Sequence, residues 1–447
     1  MKSKKFVLAG LVLLAITGLL ALAGCKNDSV PETPAANLVS ITVTPPTSTV
    51  YSVGQSFDPT GMKVTATYDD GEERTVTGAI TTDTSTLTQS AGIGKPVTVS
   101  YKEGDTTKEA TFTIDVASYE FTETVQNVDS SYAGTMVGGT YKKFGDWPQT
   151  IKEEGVEIGA GTLVRGGLTY HVGSDGNYYV EHSEKYYKVE PIVWRVLTED
   201  YKDPEGKSTG NALLLAESIL TGGVPYYVSS DRREITKEKE TGTETETEKE
   251  KEKEKVTVYP NNWQYSTIRA WLNGSYEAND TLDTTYTGKG FLQTAFTADA
   301  QSLIAPTTVD NSAASTTDAG SNLPSATDYA CANTTNKIFL LSEKEATTGA
   351  YLKEKDITDE DYGFDEYSES GKGNTRIRVT TDYAKATGAY QDSTVGYGGW
   401  WWLRSPYCIN VDLARVIYND GDADSDYSVD DTDGGVVPAL SISLGGN

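Results

Sequence analysis

The chain has 447 residues, a net charge of −27 and only two histidines, His171 and His182. That length exceeds one typical domain, and the acidity excludes electrostatic attraction to nucleic acid or anionic lipid. The histidine count leaves little material for histidine-based catalysis or His-rich metal sites. Three cysteines, Cys25, Cys331 and Cys408, do not make a disulfide scaffold, so apolar cores must carry the stability.

The N-terminus carries Lys2, Lys4 and Lys5, then an apolar run from Phe6 to Leu22, then Ala23-Gly24 before Cys25. This is the pattern of a secretory signal and not part of a fold. The four residues Leu22–Cys25 resemble a bacterial lipobox, which implies cleavage before Cys25 and lipidation of its sulfur. The bland alternatives are an ordinary signal peptide or an uncleaved anchor. Expected localisation is therefore the cell envelope, held to the membrane through the lipid, with exposure at the surface. Signal peptide 1–24 is followed by a Pro-bearing polar tether over 25–37.

From Val39 the pattern alternates: VSITVTP, MKVTATY from Met62, RTVTGAI from Arg74, KPVTVSY from Lys95 and EATFTIDV from Glu109. Turn signals Asp69-Asp70-Gly71 and Glu103-Gly104-Asp105 separate them. Such period-two segments predict a small all-β sandwich. The stretch YSVGQSFDPTGMKVTATYDDGEERTVT closely resembles bacterial Ig-like domains, and the resemblance covers residues 38–117. It implies a spacer or an adhesive module, the spacer being the plainer reading. Residues 118–140 are read as a linker.

Beyond Tyr141 the texture is mixed. VEPIVWRVL and NALLLAES predict buried strands, and YSTIRAWLN predicts a helix capped by Ser266 or Thr267. A second helix is expected over Ala295–Ile304. NKIFLLSEKEA reads as a strand leading into a helical turn, and TTDYAKAT as a third short helix. GWWWLRSP, LARVIYNDG and GVVPALSISL close the chain as strands around loops. The expected class is α+β over 141–447. One low-complexity segment interrupts it, at about 235–258, where Glu and Lys alternate strictly from Glu248 to Lys255. It is read as a solvated insertion, either a hairpin turning near Gly242 or disordered.

The series PIVWRVL, NNWQYSTIRAWLN, NKIFLLSEKEA, TTDYA and GGWWWLRSP…GGVVPAL resembles an uncharacterised domain of bacterial surface lipoproteins. Its last part resembles the C-type-lectin-like fold of the formylglycine-generating type, and the variable proteins of diversity-generating retroelements. The resemblance implies a lectin-like α+β domain. Where that pattern carries Arg before Pro in the final strand, this chain has Val437, so no role of that Arg carries over. The enzymes of this type use a reactive cysteine pair. Cys331 and Cys408 are the only candidates, and nothing in the sequence shows that they meet. The expectation is that the protein is not an enzyme and takes no cofactor.

The stretch DGDADSDYSVDDTDGG, Asp420 to Gly435, admits three readings. An EF-hand loop fails at its sixth and twelfth positions, which hold Ser425 and Asp431 counted from Asp420, or Tyr427 and Asp433 counted from Asp422. A disordered tail is disfavoured by the apolar strand that follows. A binding surface fits the composition: Tyr407 to Gly435 contains no Lys, Glu, Gln, Met or Trp. Every residue type present arises from an Asn codon by changing its adenines, which is the pattern implied by retroelement diversification; an ordinary polar loop is the alternative. Tyrosines with Asn, Asp and Ser suit adaptable contact, as in antibody paratopes. The expected ligand-facing residues are Tyr407, Asn410, Asp412, Tyr418, Asp424, Asp426 and Tyr427, displayed to a protein or glycan at the cell surface. Trp401, Leu403, Val436 and Leu440 are expected scaffold. Strand alternation sends Trp401 to the face opposite Trp400 and Trp402; a core role for all three is the plainer reading, and stacking of one face on ligand is the other.

Overall fold

The computed structural model describes residues 36–81, 86–129, 131, 139–238, 253–274, 286–315, 331–347, 362–364, 374–394, 398–407, 410–423 and 425–444. The signal segment, Cys25 and most of the tether lie outside these residues.

The N-terminal part is a two-sheet β-structure. Strands β1 (Leu38–Thr44), β3 (Lys63–Tyr68) and β4 (Glu73–Thr75) form one antiparallel sheet. The second sheet runs β2 (Val50–Ser52), β7 (Thr106–Ala117), β6 (Gly92–Glu103) and β5 (Ile80–Thr81), with β2 parallel to β7. Alternation puts Val64, Ala66 and Tyr68 of β3 against Val97, Val99, Phe112, Ile114 and Val116 in one core. The β6–β7 hairpin closes on Gly104-Asp105, and Gly104 takes φ +55°, a value glycine reaches without penalty.

The larger part is mostly β with five short helices among the described residues. Its main sheet contains β8 (Gln126–Asn127), β9 (Tyr141–Ile151), β10 (Ile158–Arg165), β11 (Leu168–Gly173), β12 (Tyr178–His182), β13 (Lys185–Thr198), β14 (Ala212–Ala216), β20 (Ile338–Phe339) and β25 (Ala439–Ile442). The order is β10-β11-β12-β13-β14-β25-β20, with β9 also on β13 and β8 on β9. Every residue of β14 and of β25 is buried. An unbroken apolar run such as ALLLA is what a strand covered on both faces requires. Short pairs flank the sheet: β15 (Ser218–Ile219) with β21 (Val379–Thr380), β16 (Arg233–Glu238) with β17 (Lys253–Val258), and β18 (Thr307–Val309) with β19 (Thr334–Asn336). A three-stranded antiparallel sheet, β22 (Trp401–Pro406), β23 (Leu413–Ile417) and β24 (Ser425–Ser428), completes the set.

Helices α1 (Thr267–Asn273), α3 (Ala298–Leu303), α4 (Glu343–Ala346) and α5 (Asp382–Ala386) each begin at a Ser or Thr cap. Ser266, Thr297, Ser342 and Thr381 accept the backbone N–H three residues on, which satisfies one otherwise unpaired donor per helix. The helix expected over 295–304 is α3, which starts later, at the cap Thr297; a further helix, α2 (Phe291–Ala295), precedes it and ends at Phe296, whose backbone is extended.

The segment after β7 is packed rather than free. Ser118 and Tyr119 donate their N–H groups to Gly176 O, at 3.0 and 3.1 Å. Phe121 stacks on Tyr178 with centroids 4.9 Å apart, and Thr122 N donates to Asp146 Oδ2 at 2.9 Å. Asp115, 2 % exposed on β7, accepts from Gly94 N at 2.7 Å and from Gly161 N at 2.6 Å, bridging β6 and β10. A β-carbon at Gly161 would stand 2.7 Å from that carboxylate, so the close approach requires glycine.

The charged insertion forms a hairpin base, with Arg233 opposite Val258 and Glu238 opposite Lys253. Residues 239–252, including Gly242, lie outside the described residues. The foot of the hairpin is anchored: Val258 is 2 % exposed and packs with Tyr265 and Val256. Replacing residues 236–255 with a short Gly/Ser linker is expected to leave the melting temperature nearly unchanged. Val258→Asp should lower stability by about 3 kcal/mol or more, by burying an unpaired charge. Thermal unfolding of the two variants checks both statements.

Candidate functional site

The site is built on the last sixty residues, where an aromatic scaffold meets an acidic surface. Trp400, Trp401 and Trp402 are all buried, at 2 %, 0 % and 0 % exposure. Trp400 and Trp402 meet edge to face at 5.0 Å, while Trp401 sends Nε1 to Arg376 O at 3.1 Å. All three are core, and none offers an open face. Leu403, Val436 and Leu440 are buried too. The frame closes on itself because Trp402 N donates to Gly435 O and Gly435 N to Trp400 O, at 3.1 and 2.9 Å. A β-carbon at Gly434 would lie 2.3 Å from Trp402 Nε1, and one at Gly435 2.7 Å from Ile219. The Gly-Gly pair is thus the mould of the tryptophans.

Two buried ion pairs hold this frame to the strand–helix unit before it. In SEKEA, Ser342 and Glu345 form a reciprocal capping box on α4. Glu345 pairs with Arg404 of β22 and accepts a hydrogen bond from Tyr201 Oη. Glu343 pairs with Arg415 of β23 at 3.5 Å, both side chains 2 % exposed. Burial raises the Glu345 carboxyl, but Arg404, Tyr201 and the Ser342 N–H outweigh it and hold the group below its ordinary value of 4.5.

The expected ligand-facing residues separate into two groups, one at each end of β23. Tyr407, Asn410 and Asp412 precede the strand. Tyr407 is half-buried and lies under the Arg415 guanidinium, 4.8 Å from ring centroid to Cζ. Its ring therefore covers a buried cation, a structural use that its sequence position did not signal. Asn410 is exposed; its Oδ1 accepts Asp412 N at 3.1 Å, and Asp412 is half-buried. The loop is fastened by Asn261, fully buried, whose Nδ2 reaches the carbonyls of Tyr407, Asn410 and Leu413 at 3.3, 3.2 and 3.0 Å. Sequence reasoning missed Asn261; its only signal is a polar pair in NNWQYS ahead of a capped helix.

At the other end, Tyr418 is 36 % exposed and Tyr427 half-buried. Trp400, Tyr427 and Tyr418 form a stack leading outward, with centroid spacings of 4.2 and 6.2 Å. Burial and a hydrogen bond to Tyr418, with the charges of Asp433 and Asp431, push the Tyr427 hydroxyl up to about 12. Asp426 is half-buried and opposite Arg415 in the ladder. Asp424, Cys408 and Cys25 lie outside the described residues. Six residue steps separate Asp412 from Tyr418, about 20 Å along a strand, so the two groups do not make one contact spot.

The acidic loop 418–423 is a set of turns. Asp420 Oδ1 accepts Asp422 N at 3.2 Å, Tyr418 N donates to Asp422 O at 2.8 Å, and the buried Arg376 donates Nε to Gly421 O at 2.7 Å. Among the described residues no group of three or more His, Cys, Asp or Glu side chains is gathered as a metal would need. Cys331 shares a small cavity with Trp263, Arg404 and Pro406.

Trp401→Ala should cost about 3–5 kcal/mol, whereas Tyr418→Ser should stay within about 0.5 kcal/mol. Tyr427→Ser should fall between them, because half of that side chain packs on Trp400. Denaturant unfolding of the three variants tests the ranking. The Glu345 pair adds a pH signature. A carboxyl depressed in the folded state contributes stability above its unfolded value, and that stability is lost as pH falls through the folded one. Stability should therefore fall below about pH 4.5, the ordinary value of that group. Glu345→Gln should flatten that fall while costing about 3–5 kcal/mol near neutrality, because Arg404 stays buried without its partner; unfolding curves from pH 3 to 7 read both.

No curated protein matches the chain. Residues 44–116 match the model of the bacterial Ig-like domain (group 3), in agreement with the two-sheet N-terminal structure. Residues 209–444, just over half of the chain, match a family described as a domain of unknown function (DUF6273). That span begins after β13 and takes in the tryptophan frame, both Glu–Arg pairs and both loop groups; the chain belongs to the DUF6273 family and carries a bacterial Ig-like domain ahead of it.

Proposed function

We propose that the protein is a cell-envelope lipoprotein that displays a ligand-binding surface. In this reading the lipid on Cys25 anchors the chain, the Ig-like domain spaces it outward, and the C-terminal domain, with a C-type-lectin-like resemblance, presents its loops to a partner. It is a binding protein and not an enzyme. The observation that carries the reading is the outward stack Trp400–Tyr427–Tyr418, rigid at its root and exposed at its tip. A fixed frame with polar, tyrosine-bearing loops is how recognition varies without refolding. The lectin-like resemblance is supported by the way the WWLRSP and GGVVPAL segments lie side by side, with Trp401 bridging Gly435. The adenine-reachable composition of 407–433 fits diversification, and its test is genomic: a neighbouring reverse transcriptase and a near-copy of the final coding segment differing at adenines.

Two experiments test the core of the proposal. Cys25→Ala should abolish fatty-acid labelling and release the protein from membranes, and protease shaving of intact cells should cleave the parent. Unchanged labelling of the variant sinks the anchor. Glycan and peptide arrays probed with parent and Tyr418→Ser should lose signal in the variant; a signal that survives removes the tyrosine stack as the binding surface.

A further inference from the structure

The end of β23 that carries Tyr418 is bordered by a second segment that the sequence did not single out. Tyr390, 40 % exposed, donates its N–H to Asp433 O at 2.9 Å and its hydroxyl to Asp392 Oδ2 at 3.4 Å. Asn419 Nδ2 donates to the same Asp392 oxygen at 2.6 Å. The turn at 390–392 is thereby laid between Asn419 and Asp433. Three tyrosines, Tyr390, Tyr418 and Tyr427, share a patch with Asp392, Asp431 and Asp433.

The described residues of the patch hold three carboxylates, Asp392, Asp431 and Asp433, and no lysine or arginine. From Ala386 to the C-terminus there are nine aspartates and two basic residues, Arg404 and Arg415; Arg376, ahead of that span, serves the neighbouring 418–423 loop. Arg404 and Arg415 are buried and already paired with Glu345 and Glu343. The nearest lysine in sequence, Lys385, pairs with Asp382. Burial and the neighbouring Asp433 and Asp430 raise the Asp431 carboxyl, and no cation is among the groups acting on it. Asn419 adds a second sign: it is 5 % exposed, its Nδ2 is used on Asp392, and its Oδ1 has no hydrogen-bond partner.

A neutral ligand laid on this patch would desolvate carboxylates without compensating them, which is costly. A cation offsets that cost, gains from the tyrosine ring faces and supplies donors to the carboxylate oxygens. We propose that the patch formed by Tyr390, Tyr418 and Tyr427 with Asp392, Asn419, Asp431 and Asp433 binds lysine or arginine side chains of a protein partner. The proposal rests on the binding-surface reading above and adds the partner's chemistry.

The test is a titration of the full mature chain with a capped octapeptide of alternating Gly and Arg, read by fluorescence anisotropy. Its counterpart has norleucine in place of Arg. The parent is expected to bind the Arg peptide, more weakly as salt rises, and to ignore the norleucine peptide. Asp431→Asn with Asp433→Asn, and separately Tyr418→Ser, should each weaken binding about tenfold. Glu72→Gln with Glu73→Gln, an equal charge change on exposed residues of the Ig-like domain, should change it less than about twofold. Equal losses in the two double variants would mean binding by net charge alone and overturn the proposal; so would equal binding of the norleucine peptide. Array signals carried only by neutral glycans and lost in Tyr418→Ser would overturn the cationic partner while leaving the binding-surface reading in place. Signals carried by basic peptides but indifferent to Tyr418→Ser would overturn both.

Discussion

Two carboxylates on one turn of helix hold the C-terminal frame together. Glu343 and Glu345 are buried on α4, and each meets an arginine of the three-stranded sheet, Arg415 and Arg404. Removing such charges from water costs several kcal/mol per ion, and that cost is offset only by good geometry with every lone pair and proton occupied. For Glu345 the capping box and Tyr201 supply that geometry, and Arg404 also donates to Leu340 O at 2.8 Å; the carboxylate of Glu343 has its ion pair with Arg415, while its backbone N–H donates to Ser405 Oγ at 2.9 Å. An apolar replacement of similar volume would stabilise the fold as well, but it would not fix which strand lies against which turn. The charged pairs therefore set the register between α4 and the sheet on which the loops are displayed.

That register has a direct effect at the surface. Arg415 is covered by Tyr407 on one side of β23, and Trp400 roots the tyrosine stack on the other. The same strand thus carries a closed end and an open end. The closed end is clamped by Asn261 through three carbonyls, so its loop is preorganised rather than available. The open end instead presents the rings of Tyr418 and Tyr427 beside the exposed Asp430 and Asp433.

Much of the architecture was legible in the sequence because its signals are local. Alternation located β3, β6 and β7, and Ser or Thr before a short apolar period located α1 and α5 with the caps Ser266 and Thr381. The unbroken run in NALLLAES announced a strand covered on both sides. What could not be read depends on partners distant in the chain. Glu343, Glu345, Arg404 and Arg415 look like surface residues until strands some sixty positions apart are brought together. Tyr407 and Tyr418 have the same composition signal and opposite roles, because only the fold decides which of them has a buried guanidinium to cover. The packed run 118–122 was read as linker, since its contacts, Gly176 and Tyr178, come from a later hairpin.

The central sheet also dictates when the molecule can finish folding. β14 lies between β13, which has just been made, and β25, whose Leu440 faces Leu214 from more than two hundred residues further on. Until Ala439–Ile442 are made, the run Leu213-Leu214-Leu215 has one open side, with unpaired backbone groups and three leucines. Such an edge is a template for wrong pairing, and closing a loop of this length is slow. The domain therefore holds an exposed apolar edge until β25 pairs with it, and a chain cut before Ala439 would keep that edge open.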